Sequence, residues 1–241
     1  MAPAPKHSPE KQQELILDAA IEAIQDTSIT DFTMAKIART AGLSMGSIYK
    51  FVQSKEDIIL ALACQSFDHF SDAFEKVLNL PLTMPEKILA ISLISSKKVQ
   101  LFEFDYELQS YATNEAVIRR ASPMWTAKVI EGVERCEKRF RESMSEEIAA
   151  GELKDVPNLC EIVEEINVAS WAMTVGYEQV IRIQQTKNIV DGTDSLLAPL
   201  SFNDPMIRSL IRLLNSYPWQ KLIDDESLNK IEEELTKLQL R

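Results

Sequence analysis

Apolar residues recur at three- and four-residue intervals along most of this 241-residue chain. Such spacing places them on one face of an α-helix. Leu17, Ala20, Ile21 and Ile24 form the first stripe, after Ser8 as N-cap and Pro9 at the first helical position. Thr33 is the next cap, followed by Met34, Ile37, Ala38 and Ala41 on one face. Gly42 ends that helix, because glycine takes a left-handed backbone at little cost. Leu43 plugs the turn towards the core. Ser44 caps a short helix with Ile48, Phe51 and Val52 inward. Ser54, with Asp57 three residues on, caps a long fourth helix. Pro81 and Pro85 interrupt the pattern. Further helices are expected near residues 85–98, 99–112, 115–150, 158–187, 203–216 and 227–240, the third of these bent or split at Pro123. Residues 1–7 read as a disordered tail, 188–205 as a loop, and "SYPW" as a break before the last helix. The fold class is all-α.

Composition narrows the function classes. Glycine and proline are few, at 6 and 10, which disfavours a turn-rich β fold. No charge-free apolar run approaches the roughly 20 residues of a membrane span. The first residues hold no apolar signal-peptide core, so a cytoplasmic location without membrane contact is expected. Cys64, Cys136 and Cys160 are far apart, and reduced buried thiols are their plainest reading. The only histidines are His7 and His69, so no metal or cofactor is expected and histidine-based catalysis is disfavoured.

Charge then singles out one segment. The chain carries a formal charge of −11, yet Thr33 to Lys55 contains no Asp or Glu and holds Lys36, Arg39, Lys50 and Lys55. Two short helices joined by a glycine-containing turn and braced by longer ones have the shape of a helix-turn-helix, here about residues 32–51. With Ile48, Phe51 and Val52 inward, Ser44, Met45, Gly46, Ser47, Tyr49 and Lys50 point outward. Small residues let the helix approach base edges, and a carboxylate there would meet phosphate repulsion. A solvated polar turn without a partner is the plain alternative.

"FTMAKIARTAGLSMGSIYKFVQSKEDIILAL" resembles the signature of the TetR family of bacterial transcriptional regulators, through Ile37, Ala38, Ala41, Gly42, Ser44, Gly46, Tyr49, Phe51, Lys55 and Ile58. The resemblance covers about 50 residues; "AAGEL" (149–153) and "WAMTVGYEQV" (171–180) add a weaker likeness. It implies a helix-turn-helix domain over residues 8–60 and a larger helical effector-binding and dimerisation domain over 61–241. It assigns Thr33, Ser44, Tyr49 and Lys55 to phosphates and Met45, Gly46, Ser47 and Lys50 to the vicinity of bases; by charge alone Lys36, Arg39, Lys50 and Lys55 can neutralise phosphates. Many relatives carry Lys or Arg where this chain has Met45. Methionine cannot donate to guanine, so operator preference does not carry over.

The implied function is a ligand-responsive, sequence-specific repressor, homodimeric and released from double-stranded operator DNA by a small molecule. Phe102, Phe104, Trp125, Trp171 and Tyr177 are the candidate walls of an apolar effector pocket, with core packing as the alternative for each. Met173, Gly176 and Val180 form one expected dimer stripe; Ile207, Leu210, Ile211 and Leu214 form another. Residues 1–62 hold six basic against eight acidic residues, so most of the acidic excess falls in the second domain. An all-α enzyme with a helix-turn-helix-like N-terminal bundle is the competing class; no Ser/His/Asp, P-loop or metal spacing supports it. A non-specific architectural DNA binder should be basic overall, and this chain is not.

Overall fold

The computed structural model describes residues 7–154, 157–190 and 199–241, with the side chains of 188 and 189 excepted. The greater part of the expected tail and the middle of the expected loop at 188–205 lie outside the described residues. Twelve helices are present among the described residues: α1 (Pro9–Asp26), α2 (Met34–Ala41), α3 (Met45–Phe51), α4 (Lys55–Leu78), α5 (Met84–Leu93), α6 (Ser96–Val99), α7 (Asp105–Ala112), α8 (Glu115–Ile118), α9 (Pro123–Ala149), α10 (Leu159–Val190), α11 (Pro205–Asn215) and α12 (Asp225–Lys237). Among these residues no strand accompanies them; a single β-bridge pairs Leu153 with Trp219. The all-α class holds.

Local chemistry accounts for most helix limits. Ser8 caps α1 by accepting the Lys11 N–H, and Pro9 opens the helix. The expected helix 99–112 starts instead at Asp105, because the Asp105 carboxylate takes the Leu101 N–H at 2.6 Å and holds 100–104 as a turn. The expected helix 115–150 is split: Pro123 begins α9 and has no N–H to continue α8. The expected helix 85–98 likewise ends at Leu93, and a separate short turn follows at Ser96–Val99.

The chain folds as two compact units, Met1–Ser71 with Gln100–Arg135, and Asp72–Val99 with Cys136–Arg241. The limits fall inside α4, between α6 and α7, and inside α9. In the first unit Ile16, Leu17, Ala20, Phe32, Ile37, Ile48, Val52, Ile58 and Leu62 share one core with Phe102, Leu108 and Trp125. Residues 100–135 therefore pack with the N-terminal helices, a long-range association with no local signature in the sequence.

The second unit has its own core of Met84, Leu89, Leu93, Phe140, Met144, Ile166, Ile207, Leu210, Leu214, Trp219, Ile231 and Leu235. Trp219 is enclosed, and its indole N–H donates to the Leu214 carbonyl at 2.9 Å. At the start of α5, Thr83 and Glu86 form a reciprocal capping box, while Glu152 accepts the Met84 N–H at 2.8 Å.

Candidate nucleic-acid interface

α2 and α3 form the expected helix-turn-helix. Thr33 caps α2 by accepting the Lys36 N–H at 3.1 Å. Gly42 closes it at φ 64°, with its N–H turned back to the Ala38 and Arg39 carbonyls. Ser44 caps α3 through the Ser47 N–H, and the two hydroxyls lie 3.0 Å apart. Inward, Ile48 and Val52 are buried and Phe51 partly so. Outward, Ser44, Met45, Gly46, Tyr49 and Lys50 are exposed, and Ser47 is half-buried. The face assignment made from helical spacing is the one observed.

Gly46 sits in α3's first turn with only the Ser44 hydroxyl near the place of a Cβ, at 3.8 Å. Its lack of a side chain thus widens the outer approach to the helix rather than relieving a clash inside the fold. The four cations of the acid-free window differ in what holds them. Lys36 pairs with Asp26 at 2.9 Å. Lys55 donates to the Thr30 carbonyl at 2.8 Å and lies 4.5 Å over the Phe32 ring. Among the described residues no ion pair restrains Lys50 or Arg39, both exposed. Arg39, read from the sequence as able to neutralise a phosphate, is exposed in the same acid-free segment.

Of the candidate effector residues, Phe102, Phe104 and Trp125 belong to the first unit and Trp171 and Tyr177 to the second. Phe102 and Phe104 stack at 5.3 Å, with Phe102 in the first core. Trp125 is buried and edge-on to Phe51. Beside it runs a groove of about 290 Å³, also lined by Leu17, Cys64, Phe67, Lys128 and Arg135. Tyr177 packs against the second core, where burial pushes its phenol up from the usual range, helped by the nearby Asp204 charge. Trp171 is half exposed, so its side chain is no wall of a closed pocket in this chain.

The dimer candidates also separate. Ile207, Leu210 and Leu214 are fully buried in the second unit, and Ile211 packs against the same core. This corrects the expectation that α11 presents them to a partner: an amphipathic stripe marks a buried face, and here the chain's own core buries it. Met173 turns inward as well, whereas Gly176 and Val180 are exposed. Val168, Trp171, Val175, Val180 and Ile183 all stand exposed on α10 instead. That stripe was hidden in the sequence because α10 has apolar residues on both its inner and outer faces.

Residues 16–62 match the model of the bacterial regulatory proteins of the tetR family. The N-terminal domain belongs to the TetR family. The fatty acid metabolism regulator protein of Bacillus subtilis (strain 168) is 32% identical over 93 residues, 39% of this chain and 46% of that protein. The chain thus spans about half the length of that curated relative. A solved transcriptional regulator, FadR from Bacillus subtilis in complex with stearoyl-CoA, superposes with a TM-score of 0.50 at 23% identity. That match covers 84% of this chain and 97% of the other. The superantigen PfiT superposes at a TM-score of 0.55 and 16% identity, over 89% of this chain and all of that one. At such identities these structures establish a shared fold, and their differing names show that the fold alone does not fix function.

Among the described residues, no helix is long and apolar enough to cross a membrane, and no group of three or more His, Cys, Asp or Glu is placed to hold a metal.

Proposed function

We propose that the protein is a homodimeric, sequence-specific transcriptional regulator, a repressor released from its operator by a long-chain fatty acyl thioester. The observation that carries DNA binding is the outer face of α3. It is exposed, free of carboxylates, built of small residues at its N-terminal end and flanked by the unrestrained Lys50 and Arg39. An α-helix of this kind fits the major groove, and its cations meet phosphates. Thr33, Ser44, Tyr49 and Lys55 are the proposed phosphate contacts. For Lys55 that role requires exchanging the Thr30 carbonyl and the Phe32 ring for a phosphate oxygen.

The ligand class rests on relatives: the similar curated protein is named as a regulator of fatty acid metabolism, and the solved FadR holds stearoyl-CoA. The dimer rests on the exposed α10 stripe, since a contiguous apolar face of this kind marks an interaction surface. Titrating a duplex enriched from a random-sequence pool, with and without stearoyl-CoA, tests the whole reading. Saturable binding that stearoyl-CoA weakens is the expected result. Binding without sequence preference overturns specificity, and binding unaffected by stearoyl-CoA overturns the ligand class. Linkage adds a second arm: operator must weaken stearoyl-CoA binding by the same factor.

A further inference from the structure

Asp57 is a carboxylate with no exposed surface, and its two oxygens serve different parts of the first unit. Oδ2 accepts the Gln53 N–H at 2.7 Å, two residues past the end of α3. Oδ1 accepts the Ser122 N–H at 2.6 Å, immediately before α9. The Asp57 N–H in turn donates to the Ser54 hydroxyl at 3.1 Å. One buried side chain thus ties the exit of α3, the start of α4 and the start of α9.

The first turn of α9 makes a second connection at the same end of α3. The Trp125 indole N–H points at the Phe51 carbonyl at 3.4 Å, and the two rings meet edge to face at 5.3 Å. Phe51 is the last residue of α3, so its carbonyl has no partner within that helix. Lys128, one turn further along α9, covers the Trp125 ring at 4.5 Å. An outer pair, Glu56 with Arg120 at 3.6 Å, joins the same two segments at the surface.

We propose that the N-terminal turn of α9 is a second mount for α3, with Asp57 and Trp125 as positioning residues that set its orientation. This rests on the reading of α3 as the DNA reader. A two-oxygen acceptor is what the arrangement requires, because two backbone N–H groups from distant segments converge on one buried point. Asparagine offers one acceptor oxygen and a donor group, so Asp57→Asn orphans one of them. Trp125→Phe keeps an aromatic ring against Phe51 but removes the indole donor and part of the buried ring under Lys128. Displacing the first turn of α9 moves α3 through these bonds, in addition to any movement carried by α4.

The test uses the full-length protein. Amide exchange over residues 45–53 is compared with exchange over α1 in the wild type, Asp57→Asn and Trp125→Phe. Each variant should exchange roughly tenfold faster over 45–53 with α1 unchanged, since only the local mount is released. Equal acceleration of both segments, or none over 45–53, overturns the mount. The second readout is affinity for a duplex enriched by the wild-type protein, which should fall roughly tenfold in both variants. Selective exchange with unchanged affinity overturns the positioning role. If the wild type enriches no duplex, the DNA-reading proposal falls, and the exchange measurement alone still decides the mount.

Discussion

Lys50 and Lys36 both lie in the acid-free segment, but their ammonium groups are not equally available. Lys36 is held by Asp26, while no ion pair among the described residues restrains Lys50. Lys50→Ala should therefore weaken duplex binding across sequences and reduce the log–log salt slope by about 0.9 for each phosphate it no longer neutralises. Lys36→Ala should change both less, because a phosphate must first displace Asp26. Salt titrations of the two variants check this, and equal slopes would put both lysines in the same role. The acid-free window was legible from residue types alone, as the longest run in the chain without Asp or Glu. The individual partners, Asp26 for Lys36 and Thr30 for Lys55, depend on how α1 and its following turn fold back, and no spacing in the chain announces them. Among the cysteines a second contrast is expected. Burial, reinforced by the Asp68 charge, pushes the Cys64 thiol up to about 11, whereas Cys160 is exposed. Only the thiolate reacts, so an alkylating reagent at pH 8 should reach Cys160 well before Cys64. Cys160→Ser should remove the fast phase, and Cys64→Ser should leave it in place.

Helix ends carry the next tier of the argument. Gly42 adopts φ 64° with open space around the position of a Cβ, so the cost of Gly42→Ala is backbone strain rather than collision. About 1 kcal/mol of domain stability should be lost, measured by denaturant titration. A full loss of folding would mean that the turn has a further constraint. Caps and glycines of this type were readable directly, as at Ser8, Thr33, Gly42 and Ser44. The breaks at 94–95 and 100–104 were not, because they follow from a tertiary hydrogen bond of the Ser95 N–H to the Leu240 carbonyl and from the Asp105 turn. The start of α5 offers a pH test. Glu152 has its carboxyl raised, first by burial and then by the Glu147 charge, against the opposing Met84 N–H and Lys87. A raised carboxyl favours the folded state below its unfolded value near 4.5, and that stability is lost as pH rises through the folded value. Glu152→Gln keeps an acceptor for the Met84 N–H and removes the charge. Its melting temperature should exceed the wild type's modestly at pH 7, and the difference should close as pH falls below about 4.5. A variant less stable than wild type at pH 7 would show that attraction to the nearby Lys87 charge outweighs the burial penalty.

At the scale of the molecule, the stripe that matters for assembly is the one the fold leaves uncovered. α11 looked suited to a partner because Ile207, Leu210 and Leu214 recur at helical spacing, and the same spacing is what a monomer core requires. Periodicity says that a face will be buried and is silent on what buries it. On α10, Trp171, Val175 and Ile183 keep 51%, 48% and 60% of their surface exposed, and Val168 extends the row. Fifteen helical steps from Val168 to Ile183 span about 22 Å. That row, with Gly176 and Ala172 allowing close approach, suits a two-fold interface in which the same patch meets itself. Trp171→Glu combined with Val175→Glu places four like charges in such an interface, two from each copy. The double variant should sediment as a monomer while keeping its helical circular dichroism, because neither side chain supports the core. Leu214→Glu should behave oppositely: burying a carboxylate in the second core without a partner costs several kcal/mol, so the unit should unfold rather than dissociate cleanly. If the α10 double variant still sediments as a dimer, the exposed stripe serves another partner. If Leu214→Glu yields a folded monomer, α11 faces a second copy after all. The two variants together separate a face buried by folding from a face awaiting a second chain.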